Sequence, residues 1–154
     1  MDSRRVAVAA AFVLGSVLAG WASGLTAAST PQDYAELGQP SWAPPSWLFA
    51  PVWTALYAMI GLAGFLLWQA PDRGLALGLW SGQFALNLAW TPLFFALGWR
   101  GLALVDIGLL LGLLVACLRV FWPRDRRAAY LFLPYVAWVA FATALNAAMW
   151  SLNR

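Results

Sequence analysis

The sequence predicts an all-α membrane protein, a bundle of five transmembrane helices, and three observations predict it. Of its 154 residues, 63% are hydrophobic and only 10% are charged. Its mean hydropathy of +0.73 is too high for a soluble domain of this length. The apolar residues also fall into five stretches of about twenty, the length a helix needs to cross a bilayer. The whole chain, 1–154, reads as one domain.

Span one, Val6 to Ala28, comes after a Met-Asp-Ser-Arg-Arg start and reaches small residues at Ala22-Ser23-Gly24. That order also suits a cleaved secretory signal, but the apolar stretch outruns a signal core and is read as a retained span. Loop one, 29–45, is the one break long enough to hold structure of its own. Its Pro44-Pro45 pair favours extended backbone, and Ser46 is placed to cap the start of span two. The loop is expected to be a stiff cover carrying Trp42 and Trp47, and to gate access.

Span two runs from Ser46 to Gln69 and ends at an Ala-Pro-Asp-Arg-Gly turn, 70–74. Span three, Leu75 to Leu97, is separated by Gly98 to Arg100 from span four, Gly101 to Trp122. Pro123 to Arg127 precede span five, Ala128 to Trp150. Pro92 and Pro134 fall within spans and are expected to kink them and free backbone carbonyls. Asp106, about a turn into span four, is expected to cap that helix or lie at the interface.

All nine basic residues are arginine. With five spans, Arg4, Arg5, Arg73, Arg119, Arg124, Arg126 and Arg127 share the amino-terminal side, against Arg100 and Arg154 opposite. In a bacterial-type inner membrane this bias puts the N-terminus in the cytoplasm and the C-terminus and loop one on the far side. Nothing in it resembles a nucleic-acid footprint. Histidine and lysine are absent, which removes the usual neutral-pH base, the commonest metal ligand and the Schiff-base amine. The single Cys117 lies in an apolar run and is read as a small buried residue. With no nucleophile–base pair, metal-ligand cluster or phosphate-cradling glycine loop, the chain is expected not to be an enzyme, with no catalytic residues, no bound metal and no required cofactor.

The segment QFALNLAWTPLFF, Gln83 to Phe95, places Gln83, Asn87 and Trp90 at i, i+4 and i+7. At about 100° per residue these share a sector of roughly 60°. Hydrocarbon cannot solvate amides, so they must face protein or ligand; interhelical hydrogen bonding is the plain alternative to ligand contact. Gly74, Gly78 and Gly82 form small-xxx-small steps on another face, suited to close helix packing within the bundle or to a homodimer, with Gly108 and Gly112 on span four as the competing surface. Span five aligns Tyr135, Trp138, Ala142, Leu145 and Asn146 on one face, and span two stacks Trp53 and Tyr57 one turn apart. Together these faces would build a flat aromatic slot with a few hydrogen-bonding groups. Trp21, Trp47, Trp68, Trp99, Trp122 and Trp150 lie near span ends and are read as interfacial anchors.

Loop one and the start of span two, from Pro40-Ser-Trp42-Ala-Pro44-Pro45 through Pro51-Val-Trp53 to Tyr57, join the Gln83 to Phe95 segment and Pro134-Tyr135-Val-Ala-Trp138 through Asn146 in one pattern. Over nearly the whole chain this pattern resembles the TspO/MBR family, the tryptophan-rich sensory proteins related to the mitochondrial translocator protein (peripheral benzodiazepine receptor). The resemblance implies a commonly dimeric five-helix bundle whose pocket, beneath loop one, accepts porphyrins and isoquinoline or benzodiazepine-type ligands. Trp53, Tyr57, Asn87, Trp90, Phe95, Trp138, Ala142 and Leu145 match the family's pocket. The chain departs at Gln39, often basic in the family, and at Ala43, often Asn. The animal cholesterol motif is not matched, with Ala147 and Ser151 at its tyrosine and basic positions, so cholesterol binding through it is not expected. A reversed match, Arg127 to Tyr130 to Leu133, is a weak pattern on any chain.

The expected function is a membrane receptor or sensor, and carrier, for tetrapyrroles such as protoporphyrin or haem. Without histidine the pocket lacks haem's usual axial ligand, so metal-free porphyrin is expected to bind at least as well. The alternatives are light-dependent porphyrin breakdown, with Trp53, Trp90 or Trp138 as electron donors, and transport of small hydrophobic molecules. The absence of a visible internal repeat weighs against a conventional secondary transporter.

Overall fold

The computed structural model describes residues 2–27 and 34–154, and these residues are all-helical apart from turns and loops. The long helices are α1 (Ser3–Leu25), α2 (Phe49–Trp68, entered through a 3-10 turn at Ser46–Leu48), α3 (Gly74–Thr91, extended by a π turn at Pro92–Ala96), α4 (Arg100–Phe121) and α5 (Arg126–Leu152). The expected end of span one at Ala28 and the first part of loop one, 29–33, lie outside the described residues. Four segments, Ser3–Leu25, Ser46–Trp68, Arg100–Phe121 and Arg126–Leu152, are long and apolar enough to cross a membrane, the build of a multi-pass membrane protein. α3 is not among these four, because the amides of Gln83 and Asn87 and its three glycines dilute its apolar content.

The helices form a ring in the order α1, α2, α5, α4, α3, and a lighter contact between α3 and α1 closes it. One core runs through it from Ile60 and Leu67 on α2 to Leu110, Leu114 and Phe121 on α4 and Phe132, Tyr135 and Val139 on α5. A smaller core at the loop-one end gathers Tyr34, Phe94, Ala103, Leu145 and Met149. α1 is the least embedded helix, with only Ser16 and Gly20 buried. Glycine seats it: an added Cβ on Gly61 of α2 would lie 2.5 Å from the Phe12 carbonyl oxygen and 2.6 Å from Val13 Cα, both backbone atoms of α1.

Pro92 has no N–H, so the Leu88 carbonyl loses its helical donor. Ser23 on α1 supplies one instead, its hydroxyl donating to Leu88 O at 2.8 Å, while the chain continues as a π turn with Leu97 N–H on Pro92 O. Gly98, at φ 64°, then reverses the chain into α4. Pro134 is carried inside α5 without ending it. Two sequence expectations are corrected. Ser46 makes no capping bond, since the 3-10 turn is closed by the Leu48 N–H on Pro45 O. Asp106 caps nothing: it is buried within α4, and one carboxylate oxygen has no partner among the described residues.

On the amino-terminal side, Arg124 ties two turns together through Asp72 O and Asp72 Oδ2, each at 2.9 Å. Asp125 caps α5, accepting from Arg127 N at 2.8 Å. The Arg127 guanidinium on its side chain holds the Asp125 carboxyl below the ordinary carboxylate range. A depressed folded-state pKa makes the stabilisation complete above the ordinary value and lost as pH falls through the depressed one. Asp125→Ala is therefore expected to cost about 1 kcal/mol at neutral pH, with the difference from wild type shrinking in acid unfolding titrations below about pH 4.

Candidate functional site

A cavity of about 370 Å³ opens at the loop-one end. α1 contributes Gly20, Trp21, Gly24 and Leu25, with Ala27 just beyond it; the start of α2 contributes Ser46, Phe49, Ala50, Trp53, Thr54 and Tyr57; the end of α3 contributes Trp90, Thr91 and Phe95; and Tyr34 comes from loop one. Its floor is Tyr57, stacked on Trp53 with ring centroids 5.5 Å apart and planes 29° from parallel, as their one-turn spacing predicts. Gly20 makes that floor possible, since a Cβ there would lie 2.1 Å from Tyr57 Cε2, far inside van der Waals contact. Trp90 is stacked on Phe94 at 5.1 Å and meets Phe95 edge-on at 5.9 Å.

Four of the twelve expected ligand residues, Trp53, Tyr57, Trp90 and Phe95, line this cavity, and the other eight lie outside its lining. Gln83 and Asn87 are buried and engaged between helices. Tyr57 donates to Asn87 Oδ1 at 2.7 Å, Asn87 Nδ2 donates to the Tyr135 hydroxyl at 2.8 Å, Tyr135 donates to Gln83 Oε1 at 2.9 Å, and Gln83 Nε2 donates to Trp80 O at 2.9 Å. This chain of four bonds joins α2, α3 and α5 directly beneath the cavity. A second chain joins α3, α5 and α4 beside it: Trp90 Nε1 donates to Asn146 Oδ1 at 3.0 Å, and Asn146 Nδ2 donates to Arg100 O at 3.1 Å.

Trp138 is screened from the cavity by lining residues, meeting Phe49 edge-on at 6.0 Å and Trp53 at 6.5 Å. Its indole N–H is buried without a partner among the described residues. Trp42 packs edge-on against Phe141 at 5.7 Å. Ala142 belongs to the main core and Leu145 to the loop-end core. The cavity wall that the α5 aromatics were expected to form is thus supplied by α1 and the first turns of α2. Trp21, read as an interfacial anchor, donates its indole N–H to Thr54 Oγ1 at 3.2 Å across the cavity's edge. The Gly20 to Gly24 spacing was the available signal for α1, since small residues one turn apart permit close approach.

Loop one covers the end of the cavity. Tyr34 is 5% exposed, donates to Pro44 O at 3.1 Å and meets Phe49 edge-on at 5.4 Å. Burial pushes its phenol above the ordinary range, keeping the donor proton in place. Gly38 and Asn153 clasp the loop to the C-terminus by two reciprocal bonds, of 2.8 and 2.9 Å. Among the described residues, no group of three His, Cys, Asp or Glu side chains could hold a metal ion. Of the glycines marked for packing, an added Cβ on Gly82 would lie 3.5 Å from Leu113 Cδ2, whereas one on Gly74, Gly78, Gly108 or Gly112 would meet nothing within 4 Å among the described residues.

Known proteins are similar to this chain along most of its length. Residues 8–151 match the model of the TspO/MBR family. The human translocator protein is 42% identical over 126 residues, 79% of this chain and 75% of that protein. A tryptophan-rich sensory protein from Cereibacter sphaeroides is 36% identical over 120 residues, 78% of this chain and 76% of its own. The tryptophan-rich protein TspO of Chlorobaculum tepidum is 36% identical over 149 residues, 93% and 94% of the two chains.

Proposed function

Because the chain belongs to the TspO/MBR family, we propose that it is an integral membrane receptor for flat hydrophobic ligands, tetrapyrroles among them, with a sensory or carrier output. The observation that carries this reading is the cavity of about 370 Å³ walled by Phe49, Trp53, Tyr57, Trp90 and Phe95. Offset and edge-on ring contacts favour a flat guest, at about 0.5 to 1.5 kcal/mol per ring pair beyond the area buried. The relatives' names, translocator and sensory protein, support carriage and signalling as outputs. In this reading all five long helices cross the bilayer, with α3 admitted because its amides are engaged by neighbours. The N-terminus is cytoplasmic, and the open Gly74 and Gly78 face is where a second protomer would pack.

The test is titration of the purified protein with protoporphyrin and with haem, monitored by tryptophan quenching. Comparable or tighter binding of the metal-free ring is expected, and Trp53→Ala should weaken it about tenfold, one lost stacking contact. A strong preference for haem that disappears with the iron would overturn the reading. Of the three indoles that border the cavity, Trp21, Trp53 and Trp90, two are the expected electron donors, Trp53 and Trp90, which favours a second reading in which they reduce a photoexcited ring. Loss of porphyrin absorbance in light but not in darkness, abolished by Trp53→Phe with Trp90→Phe, would establish photochemical consumption of the ring over binding alone, each electron given leaving one oxidised indole.

A further inference from the structure

We propose that the cavity selects uncharged flat ligands dissolved in the bilayer and admits them sideways, between the C-terminal end of α1 and the first turns of α2. This rests on the receptor reading above and specifies which ligands reach the site, and from where.

Among the described residues the lining contains no Asp, Glu or Arg, so a carboxylate inside would be desolvated without a counter-charge from them, an expensive state at this depth. Five of its side-chain donors are already engaged, and the other three, Ser46, Trp53 and Thr91, carry no charge. Tyr57 gives its proton to Asn87, Tyr34 to Pro44 O, Thr54 to Ala50 O, and the Trp21 and Trp90 indoles to Thr54 and Asn146. A porphyrin diacid must therefore keep its carboxylates outside, whereas its diester incurs no such penalty.

The route emerges from comparing the two ways in. At the loop-one end, Tyr34 is buried, the Gly38–Asn153 clasp contributes two bonds, Tyr34 bonds Pro44 O, and Gln39 Nε2 donates to Tyr34 O. Two hydrogen bonds thus fasten loop one to the C-terminus, and two more brace Tyr34 within the loop. Among the described residues, a single hydrogen bond of 3.2 Å, Trp21 Nε1 to Thr54 Oγ1, bridges α1 and α2. The two helices touch where Gly61 meets the Phe12 and Val13 backbone and where Gly20 seats on the Tyr57 ring, and Gly24, Leu25 and Ala50 beyond these contacts line the cavity. The lining residues at this opening include Trp21 and Leu25, 60% and 72% exposed, and in a membrane-spanning bundle those side chains face lipid.

Two locks in a Cys117→Ala background separate the routes. An ideal Cβ on Gly38 falls 3.4 Å from Leu152 Cβ, about the separation a disulfide spans, so Gly38→Cys with Leu152→Cys fastens loop one. Trp21→Cys with Thr54→Cys, joined by a short bifunctional thiol reagent, fastens the lateral opening. The probe is protoporphyrin dimethyl ester carried in phosphatidylcholine vesicles, with quenching read in stopped flow before and after each lock is closed. The expected result is association slowed at least tenfold by the lateral lock and changed less than twofold by the loop lock. The single variant Thr54→Val, which removes the Trp21 acceptor together with the hydroxyl's own bond to Ala50 O, should speed association and dissociation about fivefold each, the equivalent of the one hydrogen bond across the opening. The diester should bind more tightly than the diacid. Slowing by the loop lock, no slowing by the lateral lock, or tighter binding of the diacid would overturn the proposal. Absence of saturable binding to the unlocked protein would instead end the receptor reading, and this proposal with it.

Discussion

Replacing Tyr135 with phenylalanine is expected to lower the unfolding free energy by about 2 to 4 kcal/mol, although it removes one oxygen atom from a residue that does not line the cavity. The Tyr135 hydroxyl accepts from Asn87 and donates to Gln83, and all three side chains are at most 3% exposed. Its loss strands an amide N–H and an amide carbonyl where no water can reach them. Each interhelical hydrogen bond within a membrane is worth about 0.6 kcal/mol and up to about 1.7, and each stranded buried group adds about 1 to 3. Unfolding by sodium dodecyl sulfate titration in mixed micelles measures the change. Adding Gln83→Leu to Tyr135→Phe should cost less than the sum of the single changes, because one stranded group disappears. A loss below about 0.5 kcal/mol for Tyr135→Phe, or strict additivity, would show that the chain of bonds does not act as a unit. The same variant should weaken ligand binding only indirectly, by releasing Asn87 and through it the Tyr57 floor.

The second large effect is expected at Gly61. Alanine there puts a methyl group 2.5 Å from the Phe12 carbonyl oxygen and 2.6 Å from Val13 Cα, and neither atom can rotate away as a side chain could. α1 must move outward as a body, and because only Ser16 and Gly20 of that helix are buried, few other contacts resist its departure. A loss of about 3 kcal/mol is expected, the upper range for overpacking, with faster proteolysis in α1 as its signature. Gly108→Ala is the control: nothing lies within 4 Å of its added Cβ, so stability should stay within about 0.5 kcal/mol of wild type. Equal losses at the two positions would refute the close-contact account of how α1 is held.

Much of the architecture was legible in the sequence because a bilayer imposes simple rules. Apolar length marks helices, so the expected start and end of span four, Gly101 and Trp122, lie one residue from those of α4. Proline chemistry anticipated a freed carbonyl near Pro92, and Leu88 O is that carbonyl, bonded by Ser23. Periodicity alone correctly put Gln83, Asn87 and Trp90 on an inward face. It could not say whether that face met a guest or other helices, since an amide satisfied by Tyr135 and one satisfied by a ligand obey the same pattern. Trp138 was equally ambiguous: its inward position was legible, but the Phe49 and Trp53 rings between it and the cavity come from another helix.

What the sequence determined by itself is an all-helical membrane chain of this family, with its breaks, its charge asymmetry and its inward polar residues, because each depends on local composition and period. What only the tertiary structure decided is which inward residues touch empty space. That depends on the ring order of the helices and on where glycine lets two of them meet. Gly20 and Gly61 seat α1 on α2, and the cavity is lined by the α1 residues beyond those contacts and the first turns of α2, which leaves the α5 aromatics as its backing.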